Sequence, residues 1–156
     1  MTARATESQL IEIVRHASRR GAGVQVGIGD DCAVLEPGPG RRLLVTTDLL
    51  IEDVHFRRRW ATPADIGWKA LAVNLSDIAA MGGQPRWVVV ALACPEGVTL
   101  EEAQAFHAGL GALAAAHEVV VVGGDTSASP AGWIVNVTLL GEAVAPLLRS
   151  TARTGD

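Results

Sequence analysis

The sequence predicts a mixed domain in which one β-sheet is covered by at least two helices. Three observations carry that prediction. Two long segments with helical spacing bear clear start and stop signals. Runs rich in Val, Leu and Ile lie between them. The chain has 156 residues, 49% of them hydrophobic, which suits one domain of ordinary size with a sizeable core.

The elements follow in order along the chain. "TESQLIEIVRHASRRG" reads as a helix: Thr6 and Gln9 make a capping box, Leu10, Ile13, Val14 and Ala17 form one face, and Gly21 closes it. A glycine turn and a short apolar strand, Cys32 to Leu35, come next. "EPGPGR" is a turn by composition. A strand is expected over 43–48, "LLVTTD", and "LLIEDVHFRRRW" reads as a loop or irregular segment. "TPADIGWKALAVNLSDIAAMGG" is a helix with Thr62 as cap, Pro63 in first position and Gly82-Gly83 at its end. Its small apolar composition predicts burial nearly all round. A strand over 87–93, "WVVVALA", hardly alternates and so is expected to be covered on both faces. Thr99 and Glu102 form a second capping box, and Ala103, Phe106, Leu110, Leu113 and His117 keep helical spacing behind it. "EVVVVGGDT" and "GWIVNVTLLGEA" are further strands. The tail "LLRSTARTGD" is polar and reads as a linker.

Composition narrows the function. The net charge of −4 argues against a nucleic-acid partner, and Arg57-Arg58-Arg59 is the one basic run, a pattern that usually marks a solvated loop. "MTARATESQLIEIV" has no apolar signal region, and no apolar run approaches a membrane span. Cys32 and Cys94 lack metal-ligand spacing and read as small buried apolar side chains in a reducing cytoplasm.

The polar residues gather at acids. Asp48 and Asp125 are expected at strand ends, and Asp30-Asp31 at a glycine turn beside a strand. That pattern points to one rim of the sheet, where open folds bind ligands, although Asp also favours turns for local reasons. Asp77 lies inside a helix among Leu75, Ile78 and Ala79, with Asn74 expected on the same side. A buried carboxylate there needs a cation, several donors or an ion-pair partner. Mg²⁺ would suit: it takes carboxylate oxygens and completes its shell with water and phosphate oxygens. Thr46 and Thr47 could add hydroxyl or carbonyl oxygens beside Asp48. His55 is balanced between loop structure and a ligand contact, while His16, His107 and His117 read as packing or surface residues. There is no Gly-x-x-x-x-Gly-Lys-Ser/Thr loop, no third glycine of a dinucleotide fingerprint and no Gly-x-Ser-x-Gly elbow.

Taken together, "GIGDDCAVL", "VTTDLLIEDVHF", "GWKALAVNLSDIAAMGGQP" and "VVGGDTS" closely resemble the N-terminal domain of the thiamine-monophosphate kinase family, within the superfamily of aminoimidazole ribonucleotide synthetase. The resemblance runs essentially from residue 8 to 156. It implies an α+β domain whose mixed sheet, covered by helices on one side, pairs with a second copy into a barrel-like homodimer core. It implies phosphorylation of thiamine monophosphate by ATP, with several Mg²⁺ ions, in the cytoplasm. The family's metal ligands match Asp31, Thr46, Thr47, Asp48, Asp77 and Asp125, with Asp30 the adjacent acid. His55 matches a substrate contact, and Gly124, Asp125 and Arg149 match ATP contacts. Residues 1–145 match the ATP- and Mg-binding, dimerising domain, and 146–156 match the hinge towards a C-terminal domain. That domain's "D-x-S-D-G" motif does not occur in this sequence. Two other readings stand beside this one: half of another enzyme of the superfamily, or a non-catalytic dimerisation module.

Overall fold

A computed structural model describes residues 7–17, 21–26, 28 and 33–155. The main sheet holds β3 (Arg42–Ile51), β4 (Gln84–Cys94), β5 (Val120–Ala128) and β6 (Ile134–Ala143) in the order β3-β6-β4-β5. β6 is antiparallel to both neighbours, and β4 and β5 are parallel. Consequently β3, β4 and β5 all run the same way. The connections through α2 (Pro63–Ala80) and α3 (Leu100–Ala116) are then crossovers between parallel strands. Such crossovers are right-handed, and both step in the same direction across the sheet, so both helices land on one face. This is the expected α+β arrangement of a mixed sheet packed against two helices.

Local chemistry sets the helix ends. The Thr62 hydroxyl accepts from the Asp65 N–H, and the Asp65 carboxylate accepts from the Thr62 hydroxyl and from the Thr62 N–H, two bonds that hold the carboxyl below its ordinary pKa. Thr99 and Glu102 repeat the device on α3. α2 ends where Gly82 turns left-handed, with φ of +65°. The two helices touch backbone to backbone. A Cβ at Gly67 would lie 2.0 Å from the Phe106 carbonyl oxygen, and one at Gly109 would lie 2.0 Å from that of Ala64. Any side chain at either position would force the helices apart.

The main core lies between these helices and the sheet. Ile66, Leu71 and Ile78 of α2 and Phe106 and Leu110 of α3 pack on Val88, Val90, Val135, Val137 and Leu139. Each large side chain buried there contributes roughly 1.5–3 kcal/mol. A second cluster, Trp87, Val120 and Val122, lies under the hairpin β1 (Val24–Val26) and β2 (Val34–Leu35). The Trp87 indole N–H donates to the Ala22 carbonyl at 3.1 Å and ties the hairpin down. α1 (Glu7–Ala17) packs on α3 and β5.

The structure corrects several expectations. β3 runs past 43–48 to Ile51, so part of the supposed loop is strand. β4 extends from 84 to 94, beyond 87–93. β1 went unread because three residues between glycine turns carry almost no periodic signal. α2 is buried along one face only, with Trp68, Lys69, Asp77 and Ala80 exposed, because its outer side meets solvent. β4 is buried at Val88, Val90 and Leu92 on the helix side but only partly on the other, at Val89, Ala91 and Ala93, since the hairpin covers just one corner of that face. Further along the open face, Leu43, Val45 and Leu49 are 47%, 62% and 49% exposed. The tail is anchored, not free: the Leu147 N–H donates to the Met81 carbonyl at 2.9 Å, ahead of a 3₁₀ turn, Arg149–Thr151. Thr6, Asp30, Asp31 and Cys32 lie outside the described residues.

Candidate functional site

Strand alternation splits the Thr46-Thr47-Asp48 triplet. Thr46 and Asp48 share the helix side of β3, where both are half-buried. The Thr46 hydroxyl donates to Oδ2 of Asp77 on α2 at 2.6 Å. Asp77 is exposed, contrary to the expectation of a buried carboxylate. The reason is angular. At 3.6 residues per turn, positions three apart differ by about 60° around the helix. That takes Asn74 under the helix, fully buried, and leaves Asp77 at its rim. Asn74 donates to the Ala70 carbonyl at 3.1 Å, and its own Oδ1 has no partner among the described residues. Thr47 turns to the open face. Its hydroxyl lies 3.1 Å from both the Val137 carbonyl and the Thr138 hydroxyl and accepts from the Asn136 amide at 3.0 Å.

Asp125 stands at the other edge of the sheet. Its register row runs Leu49, Asn136, Ala91, Asp125, whereas Asp48 lies in the row Asp48, Val137, Val90, Gly124. Adjacent rows face opposite sides, so Asp48 and Asp125 differ in both edge and face. Three strand spacings of nearly 5 Å put them about 14 Å apart. Neither acid ends its strand, since β3 and β5 each continue for three more residues. The expected single rim of acids is therefore replaced by two separate edges.

The β5 edge is shaped by glycine. A Cβ at Gly124 would lie 2.1 Å from the Val90 carbonyl oxygen, so only glycine permits that strand approach. Beside it is a cavity of about 270 Å³, lined by Val14, Ile28, His107, Gly124, Asp125 and Thr126 among others. His107 is 6% exposed, and burial pushes its imidazole pKa down to about 4. It is neutral at pH 7 and meets the Phe106 ring edge-on at 5.2 Å. A larger, more open groove of about 700 Å³ between α1 and α3 touches none of the predicted site residues.

His55 belongs to a tight turn after β3. Its Nδ1 accepts from the Ile51 N–H at 3.0 Å, which leaves Nε2–H as the outward donor of the ring. Lys69 donates to the His55 carbonyl, and buried Phe56 anchors the turn. The arginine run is largely engaged within the chain. Arg58 pairs with Glu102 and lies 5.3 Å from the Trp133 ring, while Arg57 and Arg59 lie 4.8 and 4.4 Å from that of Trp60. Arg149 is exposed and lines an open cleft of about 690 Å³ with Ala80, Leu147 and Thr151. That cleft lies at the end of α2, one turn beyond Asp77. Cys94 is partly buried, and burial raises its thiol pKa to about 11, which keeps it unreactive.

Among the described residues, no three His, Cys, Asp or Glu side chains converge as a metal cage. The β3 edge offers two carboxylates and a hydroxyl, all oxygen donors. This fits Mg²⁺, which commonly takes one or two protein carboxylates and finds its other ligands in water and phosphate. No helix among the described residues is long and apolar enough to cross a membrane. Sequence reasoning passed over Glu142 and Asn136. Glu142 is 2% exposed, accepts from the Gly38 N–H at 2.7 Å and Arg86 at 3.2 Å, and lies 3.8 Å from Arg41. An Asn inside the valine-rich strand "WIVNVTLL" was a legible signal, because Asn is disfavoured there.

Residues 29–143 match the family model described as AIR synthase related protein, N-terminal domain. A thiamine-monophosphate kinase of Bacillus subtilis is 41% identical over 152 residues, covering 96% of this chain and 47% of that protein. Among solved structures, the thiamine-monophosphate kinase of Stenotrophomonas maltophilia K279a aligns with a TM-score of 0.76 at 40% identity, over 92% of this chain and 44% of that one. AaThiL complexed with AMPPCP and TMP aligns at 0.71 and 37%, over 78% and 38%. The hydrogenase maturation protein HypE in complex with ATP aligns at 0.76 but only 25% identity, over 95% and 44%. The chain thus spans between 38% and 47% of the length of these proteins.

Proposed function

The chain belongs to the AIR synthase related protein family through its N-terminal domain, and from that premise we propose that it is the N-terminal half of a thiamine-monophosphate kinase. The reaction would be ATP plus thiamine monophosphate giving ADP plus thiamine diphosphate. One observation carries this reading: identity near 40% to such kinases runs over nearly the whole chain. The fold alone does not choose, since a HypE structure superposes equally well. Identity falls to 25% there, which favours the kinase.

Residues 1–145 form the ATP- and Mg-binding domain in this reading, and 146–156 the hinge to the second half. Asp48 and Asp77, with Thr46 between them, hold Mg²⁺ at the β3 edge. Asp31 joins them, and Thr47 contributes through its main chain, its hydroxyl being turned away. Asp125 serves a different ion, given its distance from Asp48. When bound, Mg²⁺ neutralises the phosphate charge that these acids would otherwise repel. Thr46 holds the Asp77 carboxylate in place at the rim. Gly124 lets a nucleotide approach the β5 edge, and the Arg149 guanidinium forks onto phosphate oxygens. Nε2–H of His55 donates to thiamine monophosphate. The attacking group is a phosphate oxygen already anionic at neutral pH, so the chain needs no strong general base. The open sheet face pairs with a second copy into a homodimer, and the enzyme works in the cytoplasm.

The test is ADP formation from ATP, thiamine monophosphate and Mg²⁺ by the complete open reading frame that carries this chain. Turnover dependent on both thiamine monophosphate and Mg²⁺ is expected. A folded product without it would sink the kinase reading.

A further inference from the structure

We propose that Asn136 is a positioning residue for the β3-edge metal site, acting through the Thr47–Asp48 segment; this rests on the Mg²⁺ reading above. Among the described residues β3 is an edge strand, bonded to β6 on one side only. Its residues alternate between faces, so a small twist of the strand would turn the Asp48 carboxylate relative to the Thr46–Asp77 pair. The Asn136 side chain opposes that twist. The Asn136 amide nitrogen donates to the Thr47 hydroxyl at 3.0 Å and to the Asp48 main-chain carbonyl at 3.2 Å. It therefore grips two successive residues of β3 from the opposite face of the sheet. Thr47 is also held by the Val137 carbonyl and the Thr138 hydroxyl, each at 3.1 Å. β6 places Asn136 opposite Leu49, third from the Ile51 end of the strand pair, so its amide reaches back along β3 to Asp48 and Thr47.

Asn136 does not touch the site. It lies on the other face, and its position between Val135 and Val137 is one that a β-branched residue would fill with better strand propensity. An amide there costs some sheet preference and in return fixes the backbone from which Asp48 projects. Residues that orient metal ligands in this way typically change metal affinity by 10–100-fold when removed.

The test uses Mn²⁺ as the probe, with binding to the 156-residue chain read by electron paramagnetic resonance. Folding is followed separately by thermal melts in EDTA. Asn136→Ala and the milder Asn136→Ser should each weaken Mn²⁺ binding about tenfold or more, with a melting point in EDTA close to wild type. In the Asp48→Asn background, Asn136→Ser should add no further loss, because it acts through Asp48. Unchanged affinity in a folded Asn136→Ser protein overturns the positioning role and leaves the metal site standing. A loss that persists in full without Asp48 also overturns it. Absence of Mn²⁺ binding by the wild-type chain removes both the site and its positioning residue.

Discussion

The two edges of the sheet are built by opposite means. At the β3 edge, Asp77 is exposed and Thr46 and Asp48 are half-buried, and Thr46 reaches Asp77 through one hydrogen bond of 2.6 Å. At the β5 edge, Gly124 has no room for a methyl group, and His107 is sealed beside the cavity. The first edge presents charge that water already solvates, so its residues can change at little cost to folding. The second presents shape, and its residues are held by the core. The edge that stabilises the fold least is therefore the one best placed to bind cations, while the tightly packed edge frames a cavity.

Gly124→Ala is the strongest way to break this contrast. Its Cβ would lie against the Val90 carbonyl, costing about 3 kcal/mol and lowering the thermal midpoint by roughly 6–12 °C. A midpoint within about 2 °C of wild type would show that the β5 edge is looser than described. His107 gives an effect of similar size through pH. Its folded pKa of about 4 lies below the ordinary 6.5, so below pH 6.5 the unfolded chain binds a proton that the folded chain refuses. Stability should fall by up to about 3 kcal/mol as pH drops from 6.5 towards 4. Urea unfolding at several pH values should show this slope in wild type and a shallower one in His107→Phe.

Asp77→Asn should separate function from folding at the other edge. Mn²⁺ affinity should drop at least about tenfold, with stability within roughly 0.5 kcal/mol of wild type, because the exposed amide can still accept from Thr46. Titration calorimetry and a melt on the same sample check both halves. The smallest effect is expected from Thr46→Val, which removes one exposed hydrogen bond and should cost no more than about 1 kcal/mol by chemical denaturation. A loss approaching that of Gly124→Ala would erase the distinction between the edges.

Much of the fold was legible because its signals are local. The Thr62 cap and the Thr99–Glu102 capping box sit at the helix starts expected of them, and Gly82 ends α2, whereas the box at Thr6 lies outside the described residues. Ala103, Phe106, Leu110 and Leu113 of α3 are buried on the expected spacing, while His117 is exposed because it stands at the helix C-cap. Strand lengths were harder, since Leu49–Ile51 continue the β3 ladder opposite β6 although their sequence resembles the loop that follows. For the site, Thr46, Asp48, Asp77 and Asp125 were picked out by residue type and family motif. What failed was their surroundings. Asp77 was expected to be buried, because apolar neighbours in sequence do not tell which side of a helix meets the sheet.

The sequence by itself determined the helices with their caps, most of the strands and the oxygen-rich residues that suit a divalent cation, because each depends on neighbours within a few positions. Only the tertiary structure decided that β6 inserts between β3 and β4. That insertion sets Asp48 and Asp125 on opposite edges and brings Asn136 onto Thr47 and Asp48. The physical reason is that strand order comes from pairing between segments some 90 residues apart. The energy of that pairing is shared across whole ladders and appears in no single motif.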